Sequence, residues 1–461
     1  MCGVFGAHLS NQNDAARFTY LGLYALQHRG QDSCGIVTSD GESISAYKAT
    51  GLVSEVFDDE RLGRLPGRIG IGHVRYPTAG ESSVINALPL LVRSRYGKVA
   101  LAHDGNLVNS LELSEKLQAQ GVVFQTTTDS EIILNLVAKA DTTDLERAVI
   151  VAARQLQGAF ALLIMTEQCL IGIRDPLGIR PLCLGKSDDG YVLASESCAL
   201  STVGAEFVRD VLPGEMIVIG PKGFNSYYYG LHGEENLCIF EYIYFARPDS
   251  IMSNRSVYQT RLEIGAQLAR ENKIDAEVVV PAPDSGVAAA LGFAKESGIP
   301  FELGLIKNRY VGRTFIQPTQ AMRELGVKIK LNPVNSVLRG KKVILIDDSV
   351  VRGTTSAKTV QLLREVGVAE VHLVVASPPY ISPCYYGINT SSKSELIAAN
   401  HSVAEIKAKI GADSVNYLSL DGLYRAVGSG ANQMCRACFT GEYPVPIPAD
   451  KPNDEYKVRC V

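Results

Sequence analysis

Three groups of residues in this chain combine types and spacings that do chemistry. Cys2 follows only the initiator methionine. Methionine aminopeptidase removes Met before a small residue, which would leave Cys2 with a thiol and a free α-amine. An α-amine with a reference pKa of about 7.7–8.0 is a competent base for its own thiol, the N-terminal nucleophile arrangement. Downstream lie Gln27-His28-Arg29-Gly30-Gln31-Asp32, Gly72-His73-Val74-Arg75-Tyr76 and Thr128-Asp129-Ser130-Glu131. Arg75 offers a cation and Asp129 an anion, a pair suited to the α-carboxylate and α-ammonium of an amino-acid substrate. Taken singly, Cys2 reads as incidental and the two charges as surface ion pairs; only the grouping favours chemistry.

The second group runs from Val343 to Ser356. An apolar strand ends in Asp347 and Asp348, and the loop Ser349-Val350-Val351-Arg352-Gly353-Thr354-Thr355 opens a helix. Glycine loops and helix N-termini present free N–H groups to a phosphate, and the two Thr hydroxyls add donors. The acid pair suits ribose hydroxyls and Mg²⁺, an ion usually held by one or two carboxylates plus substrate phosphates. A ligand-free Rossmann-like turn would explain the glycine but not two adjacent acids. The third group is Cys435-Arg436-Ala437-Cys438, which alone fits zinc, redox chemistry or nothing. A basic stretch, Lys307-Asn308-Arg309-Tyr310-Val311-Gly312-Arg313-Thr314-Phe315, reads by charge alone as a solvated loop.

Two kinds of scaffold must position these groups. The first half reads as short strands (Gly70–Val74, Val99–Ala102, Ala161–Met165) punctuated by Gly and Pro, with a helix from Ser130 to Ala138 capped by Asp129. That pattern resembles a layered α/β sandwich of antiparallel sheets. In the second half, strands at Glu277–Val280, Lys342–Ile346 and Glu370–Val375 alternate with helices at Asp284–Glu296 and Ser356–Glu365. Such alternation indicates a parallel, doubly wound sheet. The boundary is expected near Gly230 to Asn236, giving domains 1–235 and 236–461, within the two or three that 461 residues suggest. A net charge of -4 argues against nucleic acid as a partner. No apolar run is long enough for a bilayer, and the N-terminus lacks a basic signal region. Ten scattered cysteines argue for a reducing cytoplasm over a secreted disulfide framework.

With Cys2-Gly3-Val4-Phe5-Gly6, the first half resembles the N-terminal-nucleophile (Ntn) glutamine amidotransferases. The resemblance implies an αββα sandwich, Cys2 as nucleophile, and glutamine held by Arg75, Gly105 and Asp129. One position departs from it. The family motif is His-Asn-Gly-Asn, whose first Asn side chain and following Gly N–H form an oxyanion hole; here it reads His103-Asp104-Gly105-Asn106. An ionised Asp only accepts hydrogen bonds. Three readings follow: Asp104 is protonated, Asn106 supplies the donor, or glutamine is used slowly.

The loop after Asp347 and Asp348 resembles the type I phosphoribosyltransferase signature. It implies a 5′-phosphate on Ser349 to Thr355, and one Mg²⁺ per subunit on Asp347 and Asp348 with a further contact from Ser285. Both halves together, with Phe240-Glu241-Tyr242-Ile243-Tyr244-Phe245-Ala246-Arg247-Pro248-Asp249-Ser250 at the junction, resemble the amidophosphoribosyltransferases. That family implies ammonia transfer from glutamine to phosphoribosyl pyrophosphate, giving 5-phosphoribosylamine, pyrophosphate and glutamate. It assigns Lys307, Tyr310 and Arg313 to a flexible loop over the substrate. Its iron–sulfur subgroup implies one [4Fe-4S] cluster per subunit on Cys238, Cys384, Cys435 and Cys438, in preference to zinc. Feedback by purine nucleotides, a homotetramer and a cytoplasmic location follow from the same resemblance. The competing reading is a non-catalytic sensor of phosphoribosyl pyrophosphate or nucleotides, supported only by Asp104. Cys34, Cys169, Cys183 and Cys198 are expected to be packing residues, and Cys460 a tail residue.

Overall fold

The computed structural model describes residues 2–10, 14–76, 82–230, 234–308, 331–390 and 392–448. The first half is two stacked antiparallel sheets between helices. One sheet has seven strands in the order Glu206–Asp210, Cys183–Ser187, Gly190–Ala194, Gly3–Leu9, Ile69–Arg75, Ser33–Ser39 and Ile44–Thr50. The other has six, ordered Gly223–Tyr228, Glu215–Gly220, Leu170–Arg174, Gly158–Met165, Gly97–Leu107 and Leu90–Ser94. Val4, Ile71, Ala102, Leu163, Leu193 and Ile217 form the layer between the sheets. Truncating one of them, as in Leu163→Ala, would cost about 2–5 kcal/mol through lost burial and the cavity left. Helix Ala15–Ala25 covers the outside of the first sheet, and helices Asp129–Lys139 and Leu145–Ala153 cover the second. This is the expected αββα sandwich.

The second half has a four-stranded parallel sheet in the order Val278–Pro281, Lys342–Asp347, Glu370–Val375 and Ser414–Tyr417. Its strands are apolar on both faces because helices cover both. Val278, Val280, Val343 and Leu345 meet helices Thr354–Val366 and Val403–Ile410; Val279, Ile344 and Ile346 meet helices Val257–Glu271 and Val287–Ser297. The latter core continues into the first half through Val108, Ala159 and Ile179.

Element boundaries shift at three places. Asp129 is not a cap: the helix starts at Asp129 after Thr128, and the Asp129 carboxylate accepts from the Leu107 N–H at 3.0 Å. The helix expected from Asp284 begins at Val287, although Gly298 ends it in a left-handed conformation. The helix after the acid pair begins at Thr354, two residues early, directly behind Gly353. Tyr310, Arg313 and Cys460 lie outside the described residues. Among the described residues no helix is long and apolar enough to cross a membrane.

Candidate active sites

Cys2 sits at the start of the central strand Gly3–Leu9, whose register pairs Gly3 with Val74 and so places Cys2 beside Arg75. Its side chain is buried, and its Sγ donates to the Tyr76 carbonyl at 3.6 Å. Burial pushes the thiol up from its ordinary value. Arg75 is buried and lies 3.4 Å from Asp32. His103, on the facing sheet, brings Asp129 to the same end of the sandwich: its Nδ1 lies 3.5 Å from the carboxylate. Burial alone would raise Asp129, but His103 and the Leu107 N–H hold it below the usual carboxylate range. The His73 Nε2 donates to the His103 carbonyl at 3.0 Å, and burial drives the ring down to about 3, which favours its neutral form. The chain thus gathers Cys2, Arg75, Asp104 and Asp129 at one end of two facing strands.

Asp104 lies within strand Gly97–Leu107 and is fully buried. Its Oδ1 accepts from the Cys2 main-chain nitrogen at 2.9 Å. Its Oδ2 lies 3.3 Å from both Arg29 and Arg180. Burial favours protonation, yet Arg180 and Arg29 overcome it and hold the carboxyl down at about 2. The two guanidiniums therefore favour the ionised form of Asp104. Asn106 does not offer its amide to Cys2 either: Nδ2 donates to the Tyr385 carbonyl at 2.8 Å. Gly105 between them has φ of +142°, and a Cβ there would lie 2.0 Å from the Ala159 carbonyl oxygen, so only glycine fits.

Arg29, Arg180, Glu196 and Glu241 extend this into a buried ionic network that the sequence reading left without a role. Arg29 donates to Glu196 at 2.7 Å and to Glu241 at 2.9 and 3.1 Å, and its Nε donates to the Cys2 carbonyl at 2.9 Å. Arg180 donates to Glu241 at 2.7 Å. Glu196 also accepts from the Arg247 N–H and the Ser250 hydroxyl, at 2.9 and 2.7 Å, across the junction between the halves. The available signal was a single acid inside an apolar run, as in Ile239-Phe240-Glu241-Tyr242-Ile243.

In the second half, Asp347 and Asp348 end their strand side by side. The hydroxyls of Ser285 and Ser349 each donate to Asp348 at 2.6 Å, and the Ser356 hydroxyl lies 3.4 Å from Asp347. Burial and the neighbouring Asp348 push Asp347 well up, and burial raises Asp348 too. Two crowded acids of this kind fit a divalent cation, whose charge would restore their ionised forms. Gly353 is left-handed (φ +75°), and a Cβ there would lie 2.6 Å from Ile397. Its conformation turns the loop directly into helix Thr354–Val366, with Thr354 and Thr355 exposed in the first turn and Val350 buried beneath. Arg352 points away onto Glu395 (Nε at 3.0 Å), and Val351 is partly buried. Lys307 pairs with Asp284 at 2.8 Å.

Cys238, Cys384, Cys435 and Cys438 line one cavity with Ile179, Arg180, Ile388 and Tyr443. Cys238 and Cys435 sit on directly bridged backbones. Burial pushes all four thiols up, Cys435 to about 12. Among the described residues no group of three or more His, Cys, Asp or Glu is gathered tightly enough for a single metal ion. Cys34, Cys183 and Cys198 are buried in the first half and Cys169 is partly buried, as expected of packing residues.

Comparison with known proteins gives matches to both halves. Residues 85–202 match the family model of a glutamine amidotransferase domain, and residues 249–378 that of a phosphoribosyl transferase domain. An amidophosphoribosyltransferase of Bacillus subtilis is 48% identical over 97% of this chain and 95% of its own length. That of Methanocaldococcus jannaschii is 49% identical over 98% and 99%. A solved structure of glutamine phosphoribosylpyrophosphate amidotransferase from B. subtilis, complexed with ADP and GMP, superposes with a TM-score of 0.92 at 47% identity, covering 98% of this chain and 99% of that one.

Proposed function

The chain belongs to the amidophosphoribosyltransferases, the glutamine-dependent enzymes that make 5-phosphoribosylamine for purine biosynthesis, and on that footing we propose how its own residues divide the work. Membership supports an enzyme and not a nucleotide sensor. The first domain, residues 1–235, hydrolyses glutamine. Arg75 takes the α-carboxylate and Asp129 the α-ammonium. The Cys2 thiolate attacks the amide carbon, the Gly105 N–H supports the developing oxyanion, and ammonia leaves as a glutamyl thioester forms. Water then releases glutamate and restores the thiol. The supporting observation is the convergence of Cys2, Arg75 and Asp129 at one end of two facing sheets.

The second domain, residues 236–461, holds phosphoribosyl pyrophosphate. The loop Ser349 to Thr355 cradles the 5′-phosphate, and Asp347 and Asp348, with Ser285, hold one Mg²⁺, which would neutralise the diphosphate. Ammonia, passed within the molecule, bonds to C1 of the sugar as the C1–O bond to pyrophosphate breaks. Lys307, with Tyr310 and Arg313, covers the departing group. The four cysteines take one [4Fe-4S] cluster per chain: an all-sulfur donor set around one apolar cavity suits it. Purine nucleotides are feedback ligands, as the ADP- and GMP-bound B. subtilis structure suggests. We assign a cytoplasmic homotetramer on the family likeness alone.

The test is pyrophosphate release from phosphoribosyl pyrophosphate by anaerobically purified protein, with glutamine and with ammonium as nitrogen source. Both should support release, and the protein should be brown with about four irons per chain. Stoichiometric zinc without iron would reject the cluster, and release with neither nitrogen source would reject the assignment.

A further inference from the structure

The buried network around Cys2 shares its cations unevenly. Arg29, Arg180 and the His28 ring face three carboxylates, Asp104, Glu196 and Glu241, and His28 reaches Glu196 at 2.7 Å. The arginines make their short contacts, 2.7 to 3.1 Å, to Glu196 and Glu241. They stand back from Asp104 at 3.3 Å. Asp104 makes its 2.9 Å contact instead with the Cys2 nitrogen. In a mature chain beginning at Cys2 that nitrogen is the α-amine, and a proton on it would place a cation in direct contact with the buried carboxylate. We propose that Asp104 is the counter-ion of the Cys2 α-ammonium and thereby sets the pH above which this enzyme uses glutamine. The inference rests on Cys2 as the N-terminal nucleophile.

The consequence follows from linkage. A carboxylate in contact favours the charged form of an amine, typically by about one to three pH units. The α-amine serves as base only when neutral. With Asp104 beside it, the neutral fraction near neutral pH falls by about tenfold for each unit of upward shift. Asparagine at this position would leave the arginines and glutamates matched and the amine near its ordinary range. Other groups at this end do not reverse the effect. His73 is neutral on the neighbouring strand, His103 faces Asp129, and His28 lies on Glu196 at 2.7 Å. Arg75 stands beside the thiol with Asp32. Asp104 is thus a positioning residue, holding the amine in place while withholding its lone pair until the pH rises.

The direct test uses the full-length holoprotein carrying Cys2→Ser, which keeps the α-amine and removes the thiol. Trace acetylation of that amine by acetic anhydride, followed by mass spectrometry across pH, reads its titration without any catalytic step. The expected inflection lies about one unit or more above the ordinary α-amine value, and Cys2→Ser combined with Asp104→Asn lowers it. In the otherwise native enzyme, Asp104→Asn should raise the ratio of glutamine-dependent to ammonia-dependent pyrophosphate release several-fold near pH 7, with the gap narrowing as pH rises. If the double variant does not fold, the single variant decides alone. An inflection at or below the ordinary value, or coincident inflections, overturns the proposal, as does an N-terminal peptide that retains Met1. A raised inflection with no glutamate release at any pH would leave the ion pair standing and reject Cys2 as nucleophile.

Discussion

The two ends of this molecule handle buried charge in opposite ways. Around Cys2 the protein supplies its own counter-charges, and Asp104 sits at about 2 because Arg180 and Arg29 outweigh its burial. Around Asp347 and Asp348 it supplies mainly hydroxyls, and burial pushes both carboxyls up. The first arrangement is preorganised before substrate arrives. The second, in the proposed function, is completed by a metal and a diphosphate. A zwitterionic amino-acid amide adds one charge of each sign, whereas a polyanionic substrate brings its cation with it.

That contrast breaks most sharply at Arg29. Arg29→Met would leave Glu196 and Glu241 short of their main partner and should cost about 3–5 kcal/mol of stability, because removing one member of a buried pair strands the others. Denaturant unfolding measures it, and a loss under 1 kcal/mol would mean the network is not the preorganising element. At the other end, Asp347→Asn should fold normally but lower pyrophosphate release by about 100-fold or more with either nitrogen source, a loss at least as large as those seen on disturbing metal second shells. Unchanged release would show the acid pair lies outside the site. The smallest effect is expected where the halves touch. Asn106→Ala removes the bond to the Tyr385 carbonyl in the segment that also bears Cys384. It should cost about 1 kcal/mol in denaturant unfolding; an unchanged stability would show that this bond contributes nothing to holding the halves together.

Much of this was legible in the sequence because the chemistry is local. The strand, acid pair, glycine loop and helix near Asp347 are contiguous, and each step has its own residue signal. The sandwich was readable from its strands, although the Asp129 cap was not, since the Leu107 N–H that takes its carboxylate comes from a strand more than twenty residues away. The Cys2 pocket was half legible. Its nucleophile and substrate clamps are recognisable residue types, but Arg29, Arg180, Glu196 and Glu241 come from four distant segments, and no spacing links them. Asp104 therefore read as a defect in a motif, and only its three-dimensional contacts with the Cys2 nitrogen and the two arginines suggest a role.

The central claim is that two independent chemistries sit in one chain, and Cys2→Ala tests it most directly. Pyrophosphate release by the variant should vanish with glutamine as nitrogen source and persist with ammonium, because the second site lacks nothing it needs. Loss of both activities in a protein that still folds would contradict the division of labour.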